Sequence, residues 1–188
     1  MKKLFIVLPV LLIGAAVFSF KNAVPKTSAT TKAEGQIHWL TWEEALAKSE
    51  VEQKKMLVDV YTDWCHWCKR MDKGTFQQAH IAKYVNEHFY PIKFNAEQKE
   101  NIVFKGKTYK YVSSGRRGYH ELAAEILRGR LSYPTVVFLD ENMRVIQPVP
   151  GYKDPAQFEQ IITYFGRNEY LKTPWASYQK SYQPLAKE

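Results

Sequence analysis

Cysteine is scarce in this sequence, and its scarcity excludes several kinds of protein. Only 2 of the 188 residues are cysteine, which is too few for a fold held together by several disulfides. It is also too few for a zinc or iron–sulfur site with four cysteine ligands. Phosphate-binding loops of the G-x-x-x-x-G-K type are absent as well. Any chemistry of the two cysteines therefore involves them as a pair or with other residue types.

Acidic residues are also few compared with basic ones. The chain has 19 Asp and Glu against 27 Lys and Arg, a formal net charge of +8. The basic excess is densest between residues 99 and 130, and it is typical of a solvated basic surface. We expect no nucleic-acid partner. Hydrophobic residues make up 45 % and charged residues 24 %, which excludes a disordered chain, a coiled coil and a collagen.

The N-terminus carries the longest uncharged run. Two lysines precede 17 uncharged residues from Leu4 to Phe20, and Lys21 ends the run. This pattern predicts that residues 1–20 are a signal peptide or an N-terminal membrane anchor. Both alternatives place the rest of the chain outside the cytoplasm, in the periplasm or secreted.

The remaining chain divides by composition into three parts. Residues 21–35 are polar and small and predict a flexible linker. Residues 36–166 alternate between strand-like and helix-like patterns and predict one domain, and residues 167–188 predict a C-terminal tail without clear periodicity. The domain alternates predicted strands at 37–39, 56–61, 90–94, 135–140 and 144–147 with predicted helices at 41–53, 65–71, 118–127 and 154–165, and the helix at 65–71 continues or restarts through 76–89. Residues 95–114 predict an irregular loop or hairpin. Such alternation indicates an α/β fold with a mixed central sheet and helices on both faces.

A pair of cysteines follows directly on the strand MLVDVY. In Trp64-Cys65-His66-Trp67-Cys68-Lys69, the two cysteines are three positions apart in the predicted first turn of a helix, so they face the same side and can close a disulfide. The helix N-terminus favours the thiolate of Cys65. We expect Cys65 to be the more exposed, attacking sulfur and Cys68 to be the deeper, resolving one. Lys69 stands where a c-type haem site needs histidine.

The segment LVDVYTDWCHWCK resembles the thioredoxin superfamily. It is most similar to secreted bacterial thioredoxin-like proteins, in which the motif continues as here in Cys68-Lys69-Arg70-Met71 and in Thr75-Phe76. The resemblance covers about residues 37–166. It implies a thioredoxin-like fold and a thiol–disulfide oxidoreductase that exchanges disulfides with protein thiols and disulfides. It implies no dissociable cofactor and no metal, a monomer, and a membrane redox partner that resets the cysteine pair.

The resemblance also assigns a substrate-binding region. Tyr133 and Pro134 precede the strand TVVFLD, where thioredoxin-like folds keep a cis-proline facing the cysteines. The backbone beside that proline pairs with a substrate peptide in the family. Gly151 matches a glycine that leaves room for the substrate, although an ordinary turn glycine explains it equally well.

Two charged residues complete the implied machinery. Asp59 matches the family's buried acid beneath the second cysteine, where its pKa is raised and it takes the proton of Cys68. Lys93 matches the lysine that pairs with this acid. A structural acid and a solvated lysine are the alternatives.

The residues around the cysteines leave the direction of electron flow open. His66 and Trp67 replace the family's common Gly-Pro, and Trp64 precedes the pair. A charged His66 stabilises the Cys65 thiolate and favours oxidase or isomerase behaviour. Two other functions remain as alternatives: a binding or chaperone module without turnover, and a copper-handling protein that uses both cysteines and a remote histidine. The basic insertion at 99–117 is a candidate for partner choice.

Overall fold

The computed structural model describes residues 35–115 and 117–185. The expected signal peptide or anchor at 1–20, and the linker except for Gly35, lie outside the described residues. Among the residues that are described, no helix combines the length and the apolar character needed to cross a membrane.

The described chain alternates helices and strands. Its helices are α1 (Trp42–Val51), α2 (His66–Gly74), α3 (Ala79–His88), α4 (Glu121–Ile126), α5 (Pro155–Gly166) and α6 (Trp175–Ser181), with a 3₁₀ helix at Glu169–Leu171. Its strands are β1 (Lys55–Tyr61), β2 (Phe89–Asn95), β3 (Ile102–Phe104), β4 (Lys107–Tyr109), β5 (Tyr111–Ser114), β6 (Arg117–His120), β7 (Thr135–Leu139) and β8 (Val145–Pro150).

A four-stranded mixed sheet forms the centre, in the order β2-β1-β7-β8. β1 runs parallel to β2 and antiparallel to β7, and β8 runs antiparallel to β7. The strand expected at 37–39 is wrong: only Leu40 makes a bridge, to Ile92. The pairing stops there because the next residue, Thr41, caps α1 through a capping box with Glu44 and turns the chain into the helix.

Alternate side chains of the sheet build two separate cores, which confirms the expected helices on both faces. On one face, Met56 and Val58 of β1 pack with residues of α1 and α4. On the other face, Leu57 packs with Met71 of α2 and with residues of α3 and α5. The period of two along β1 therefore decides which helices each residue meets.

The region between β2 and α4 is more regular than the sequence predicts. The hairpin alternative is confirmed by β3–β4, which turns at Gly106, and a second antiparallel hairpin, β5–β6, follows it where the sequence predicts none. The helix expected from 118 begins only at Glu121, because Gly118 pairs with Ser113 in the second hairpin. A Cβ on Gly118 would lie 2.2 Å from the hydroxyl oxygen of Tyr111. The glycine is thus a close-packing position in a strand.

The C-terminal residues form structure that their composition does not suggest. Residues 169–171 are a 3₁₀ helix, and α6 packs on α5. Tyr178 is buried and its hydroxyl donates to Thr163 at 2.9 Å, while the backbone N–H of Leu185 donates to Glu159 at 2.7 Å. Trp175, Tyr178 and Tyr182 stand three and four positions apart, a helical spacing that sequence reasoning passed over.

Candidate active site

The two cysteines lie at the start of α2, joined by a disulfide. Their Cα atoms are 5.3 Å apart. Cys65 is the N-cap residue of α2, and its Sγ accepts a hydrogen bond of 3.1 Å from the backbone N–H of Cys68. Cys65 is 5 % and Cys68 2 % exposed, so in the oxidised form both sulfurs are nearly buried.

The local fold places Cys65 where a thiolate is favoured. β1 ends at Tyr61, and the N–H of Cys65 donates to the carbonyl of Thr62 at 3.1 Å before the helix begins. The first turn of α2 contains no acidic residue. Unpaired N–H groups at a helix N-terminus stabilise a negative charge at the capping sulfur, which lowers the pKa of a cysteine placed there.

Trp64 forms one aromatic wall of the site. Its ring is half exposed and meets the ring of Tyr133 edge-on at 6.0 Å. Its indole N–H donates to Glu97 at 3.0 Å, and the guanidinium of Arg117 in the second hairpin lies 4.2 Å from its ring centre. The inserted hairpins therefore help to orient a residue next to Cys65.

Trp67 forms the opposite wall. It is also half exposed, and it contacts Tyr152 with ring centres 5.4 Å apart. The guanidinium of Arg70 lies over both rings, 5.3 Å from Trp67 and 5.6 Å from Tyr152. His66 is exposed and its ring meets Trp67 edge-on at 6.1 Å. A tryptophan thus lies next to each cysteine, and the ring of each tryptophan contacts the guanidinium of an arginine.

The proline loop lies on the same side of the molecule as the cysteines, because Tyr133 touches Trp64. The Tyr133–Pro134 peptide bond is cis. The carbonyl of Pro134 accepts a 2.8 Å hydrogen bond from the N–H of Gly151, whose φ of 84° favours glycine. Burial raises the pKa of Tyr133 to about 12, so its ring stays neutral.

A cluster of three charged groups includes Asp72, which lies one helical turn after Cys68 on α2. We call Asp59, Lys93 and Asp72 the ion cluster. Lys93 Nζ lies 2.5 Å from Asp59 Oδ2 and also contacts Asp72, which follows Cys68 by four residues on α2. Asp59 is 1 % exposed, and its Oδ1 finds no hydrogen-bond donor within the described part of the chain. Sequence reasoning predicts the Asp59–Lys93 pair and misses Asp72.

Burial sets the protonation behaviour of the ion cluster. Desolvation raises the pKa of Asp59, an effect that Lys93 offsets only in part. Desolvation alone lowers the pKa of Lys93, but the two carboxylates outweigh it and the net pKa is raised. The rings of Trp39, Tyr61 and Phe76 lie 4.9–5.3 Å from the same ammonium and add cation–π attraction. Lys93 thus stays charged, and Asp59 takes up a proton at a higher pH than an ordinary aspartate does.

The structure brings the predicted residues to one region and adds others. Asp72, Arg70, Arg117 and Tyr152 are site residues that sequence reasoning missed. The spacing of Asp72 from Cys68 was a usable signal, since residues four apart share a helix face. Arg117 and Tyr152 come from distant segments, and no local pattern indicates them. Throughout residues 35–115 and 117–185, no three His, Cys, Asp or Glu side chains converge as a metal site.

Solved structures share this architecture. A protein named DsbH oxidoreductase superposes with a TM-score of 0.52 at 17 % identity, over 72 % of this chain and 88 % of that one. A candidate disulphide isomerase from Bacteroides thetaiotaomicron superposes with a TM-score of 0.50 at 26 % identity, over 76 % of this chain and 98 % of that one. These likenesses confirm the thioredoxin-like fold.

Among curated proteins, the similarity is confined to a short segment. An uncharacterized protein of Caenorhabditis elegans, B0495.5, is 31 % identical over 88 residues, which are 46 % of this chain and 12 % of that protein. The segment shared with the curated relatives is therefore a small part of their length.

Residues 26–181 match the family Thioredox_DsbH, which carries the description "Protein of unknown function, DUF255". The match spans most of the chain and includes the whole site described above. With its fold and its Cys65-His-Trp-Cys68 motif in agreement, the chain belongs to this DsbH-type thioredoxin-like family.

Proposed function

We propose that the protein is an exported thiol–disulfide oxidoreductase that exchanges disulfides with protein substrates through Cys65 and Cys68. The observation that carries this proposal is the disulfide between these residues at the N-terminus of α2, the helix that also contributes Asp72 to the ion cluster. The fold and the motif support the chemistry, while export rests on the sequence of residues 1–20.

In the reductive direction, the thiolate of Cys65 attacks one sulfur of a substrate disulfide. A mixed disulfide forms between Cys65 and the substrate, and the other substrate sulfur leaves as a thiolate that takes a proton. Cys68 then loses its proton and attacks Cys65 Sγ. The Cys65–Cys68 disulfide closes and the second substrate thiol is released, so two electrons pass to the substrate. The oxidative direction is the reverse sequence.

Asp59 is the proposed acceptor of the Cys68 proton. Its raised pKa and its unpaired Oδ1 both suit a carboxyl that gains and loses a proton during each cycle. Lys93 holds the carboxyl in place from the opposite oxygen. Asp72 forms a second ion pair with Lys93. The side chain of Asp72 is 37 % exposed and lies at the solvent-facing end of the ion cluster.

The surrounding residues shape substrate contact. Tyr133 and Pro134 present backbone to the substrate, and the turn at Gly151 lies beside them. Trp64 and Trp67 supply exposed apolar surface, and a charged His66 stabilises the Cys65 thiolate. We further propose a periplasmic or secreted monomer that exchanges electrons with a membrane redox partner through the same pair.

Reduction of insulin by dithiothreitol tests the activity. The wild type should accelerate precipitation of the insulin chains, whereas Cys65→Ser should lose at least about 100-fold of the catalysed rate because the attacking sulfur is gone. The exposed variant Val51→Ala is the matched control, since Val51 is 92 % exposed on α1. Equal rates for the wild type and Cys65→Ser would refute the proposed activity.

A further inference from the structure

An open groove runs between β8, α5 and the C-terminal helix α6. Its volume is about 810 Å³. The walls are mainly aromatic and aliphatic, and glutamines line the rest; the residues that matter below are Ile146, Tyr152, Lys153, Tyr164, Trp175 and Gln179. The far wall exists because Trp175 packs edge-on against Tyr164 with ring centres 5.1 Å apart. The C-terminal residues thus create a cleft of the size that binds side chains of a ligand.

This groove is continuous with the redox site. Tyr152 lines the groove and at the same time contacts Trp67, one residue before Cys68. The carbonyl of Lys153 accepts a 2.7 Å hydrogen bond from Thr75 at the end of α2, which ties the mouth of the groove to the cysteine helix. A polypeptide whose cysteine reacts at Cys65 can therefore extend past Tyr152 into the groove.

The outer edge of β8 does not offer backbone pairing to that polypeptide. The N–H of Gly151 points inward to Pro134, so the backbone groups of Ile146, Pro148 and Pro150 point outward by alternation. Pro148 and Pro150 have no N–H to donate. The three outward carbonyls already accept from Arg128, Gln147 and Lys153 respectively. Binding must rely on side chains rather than on an added strand.

The charge of the groove restricts its occupant. Among the residues that the structure describes, no carboxylate lines it; Lys153 lies within it, and its ammonium donates to the carbonyls of Pro150 and Gly151. At its mouth, Arg70 lies over the rings of Trp67 and Tyr152, and no ion pair with a carboxylate of the described residues involves it. Asp72, two residues after Arg70, pairs with Lys93. Asp154, which follows Lys153, accepts from the N–H of Gln157 as the N-cap of α5. Apolar walls beside an unpaired guanidinium favour a segment that is apolar and carries carboxylates.

We propose that this groove binds an apolar, acid-bearing segment of the protein that exchanges disulfides at Cys65, so that the partner is held at two places. The proposal rests on the proposed function and adds to it the chemistry of the partner. Aromatic residues in a concave site are the usual anchors of such contacts. The groove selects partners, and the disulfide performs the chemistry.

Activated peptides provide the test. Each probe carries one cysteine in a mixed disulfide with 5-thio-2-nitrobenzoate, and reduced protein releases the coloured thiolate when Cys65 attacks the peptide sulfur. Cys68 then attacks Cys65 and frees the peptide thiol. The first probe follows its cysteine with a Gly-Ser spacer and a segment of leucine, tryptophan and glutamate. The second replaces glutamate by lysine, and the third contains only Gly and Ser beside the cysteine. A series of probes with longer spacers measures how far from the reacting cysteine the segment must lie to occupy the groove.

The wild type should react about tenfold faster with the first probe than with the third, because one good anchor contributes roughly 1.4 kcal/mol. The lysine probe should lose most of this advantage. Trp175→Ala removes one wall, and Gln179→Trp fills the groove from an exposed position without removing a core contact. Both variants should bring the first probe down to the rate of the third and leave the third unchanged. Leu171→Ala, on a tail residue that is 71 % exposed and outside the groove, should behave as the wild type.

Three results would overturn the proposal. Equal wild-type rates for the first and third probes would remove it, as would an advantage that survives both Trp175→Ala and Gln179→Trp. A wild-type dimer that Gln179→Trp turns into a monomer on gel filtration would assign the groove to a second copy of the chain instead. Release from none of the probes would refute the proposed function itself, and the groove proposal with it.

Discussion

The two faces of the central sheet differ in what they bury. Ile92 and Lys93 are neighbours on β2 and point to opposite faces. Ile92 is fully buried in the apolar core under α1 and α4. Lys93 lies on the face under α2, where it contacts Asp59 and Asp72. At these two positions, one face buries an apolar side chain and the other buries a charged one.

The free-energy cost of buried charge falls on the face that packs against α2. An isolated buried carboxylate is strongly unfavourable, and an ion pair in such a place often adds no net stability compared with an apolar core. The raised pKa of Asp59 shows that Lys93 does not fully compensate its burial. The same property suits a proton acceptor. On the proposed function, this buried charge lies on the face where Asp59 would accept the proton of Cys68.

Substitutions of Ile92 and Lys93 on β2 should differ most in how the loss of unfolding free energy depends on pH. Ile92→Ala should destabilise the protein by about 2–4 kcal/mol at all pH values between about 4 and 8, since it leaves an apolar cavity. Lys93→Met should cost about 3 kcal/mol at pH 7, because Asp59 then lies buried without its cation. This cost should shrink as the pH falls, because Asp59, whose pKa burial raises, then becomes protonated and neutral. Urea unfolding across this range measures both.

A double variant controls for packing at Lys93. Asp59→Asn combined with Lys93→Met removes both buried charges and should recover most of the loss of Lys93→Met alone. Equal pH dependence for Ile92→Ala and Lys93→Met would remove the distinction between the two faces.

Asp59→Asn should have a smaller effect on stability. It should raise the free energy of unfolding and lower the rate of turnover. Because the folded pKa of Asp59 is raised above 3.8, the wild type loses stability as pH rises through the interval above that value. The variant lacks this loss, so at pH 7 it should be more stable, by about 1.4 kcal/mol for each unit of raised pKa. Turnover at pH 7 should fall by roughly 100-fold, because Cys68 loses its proton acceptor. Urea unfolding and insulin reduction report the two effects.

Asp72→Asn is the matched control, since it removes one carboxylate from the same ion cluster at its solvent-facing end. It should change stability by only a few tenths of a kcal/mol, because an exposed ion pair contributes little, and turnover by a few-fold. If both variants slowed turnover equally, Asp59 would have no special part in the reaction.

Local sequence signals predicted most of the fold. The predicted bounds of β1 differ from the observed ones by one residue, because an apolar run that is followed by a turn and a helix marks the strand clearly. α1 and α5 were predicted because Thr41 and Asp154 are strong caps. The second hairpin and α6 were missed. The hairpin depends on Gly118 packing against Tyr111 across strands, and α6 depends on burial of Tyr178 on α5. Both are decided by contacts that no short window contains.

The candidate site divides in the same way. Cys65, Cys68 and the residues between them are contiguous, so the motif predicts them directly. Asp59 and Lys93 were predicted through the family resemblance, and their register, directly opposite on β1 and β2, accounts for the pair. Arg117 on Trp64 and Tyr152 against Trp67 join segments far apart in the chain. The contacts of Arg117 and Tyr152 with the two tryptophans could therefore be identified only from the structure.

Trapping of the mixed disulfide tests the central claim most directly. Cys68→Ser keeps the attacking sulfur but cannot resolve the intermediate, so with a peptide disulfide it should accumulate a covalent adduct at Cys65, seen by mass spectrometry as one added peptide that dithiothreitol removes. Cys65→Ser should accumulate little. A stable adduct on Cys65→Ser with none on Cys68→Ser would contradict the assignment of Cys65 as the attacking sulfur at the N-terminus of α2, and absence of adduct on both would contradict disulfide exchange by this pair.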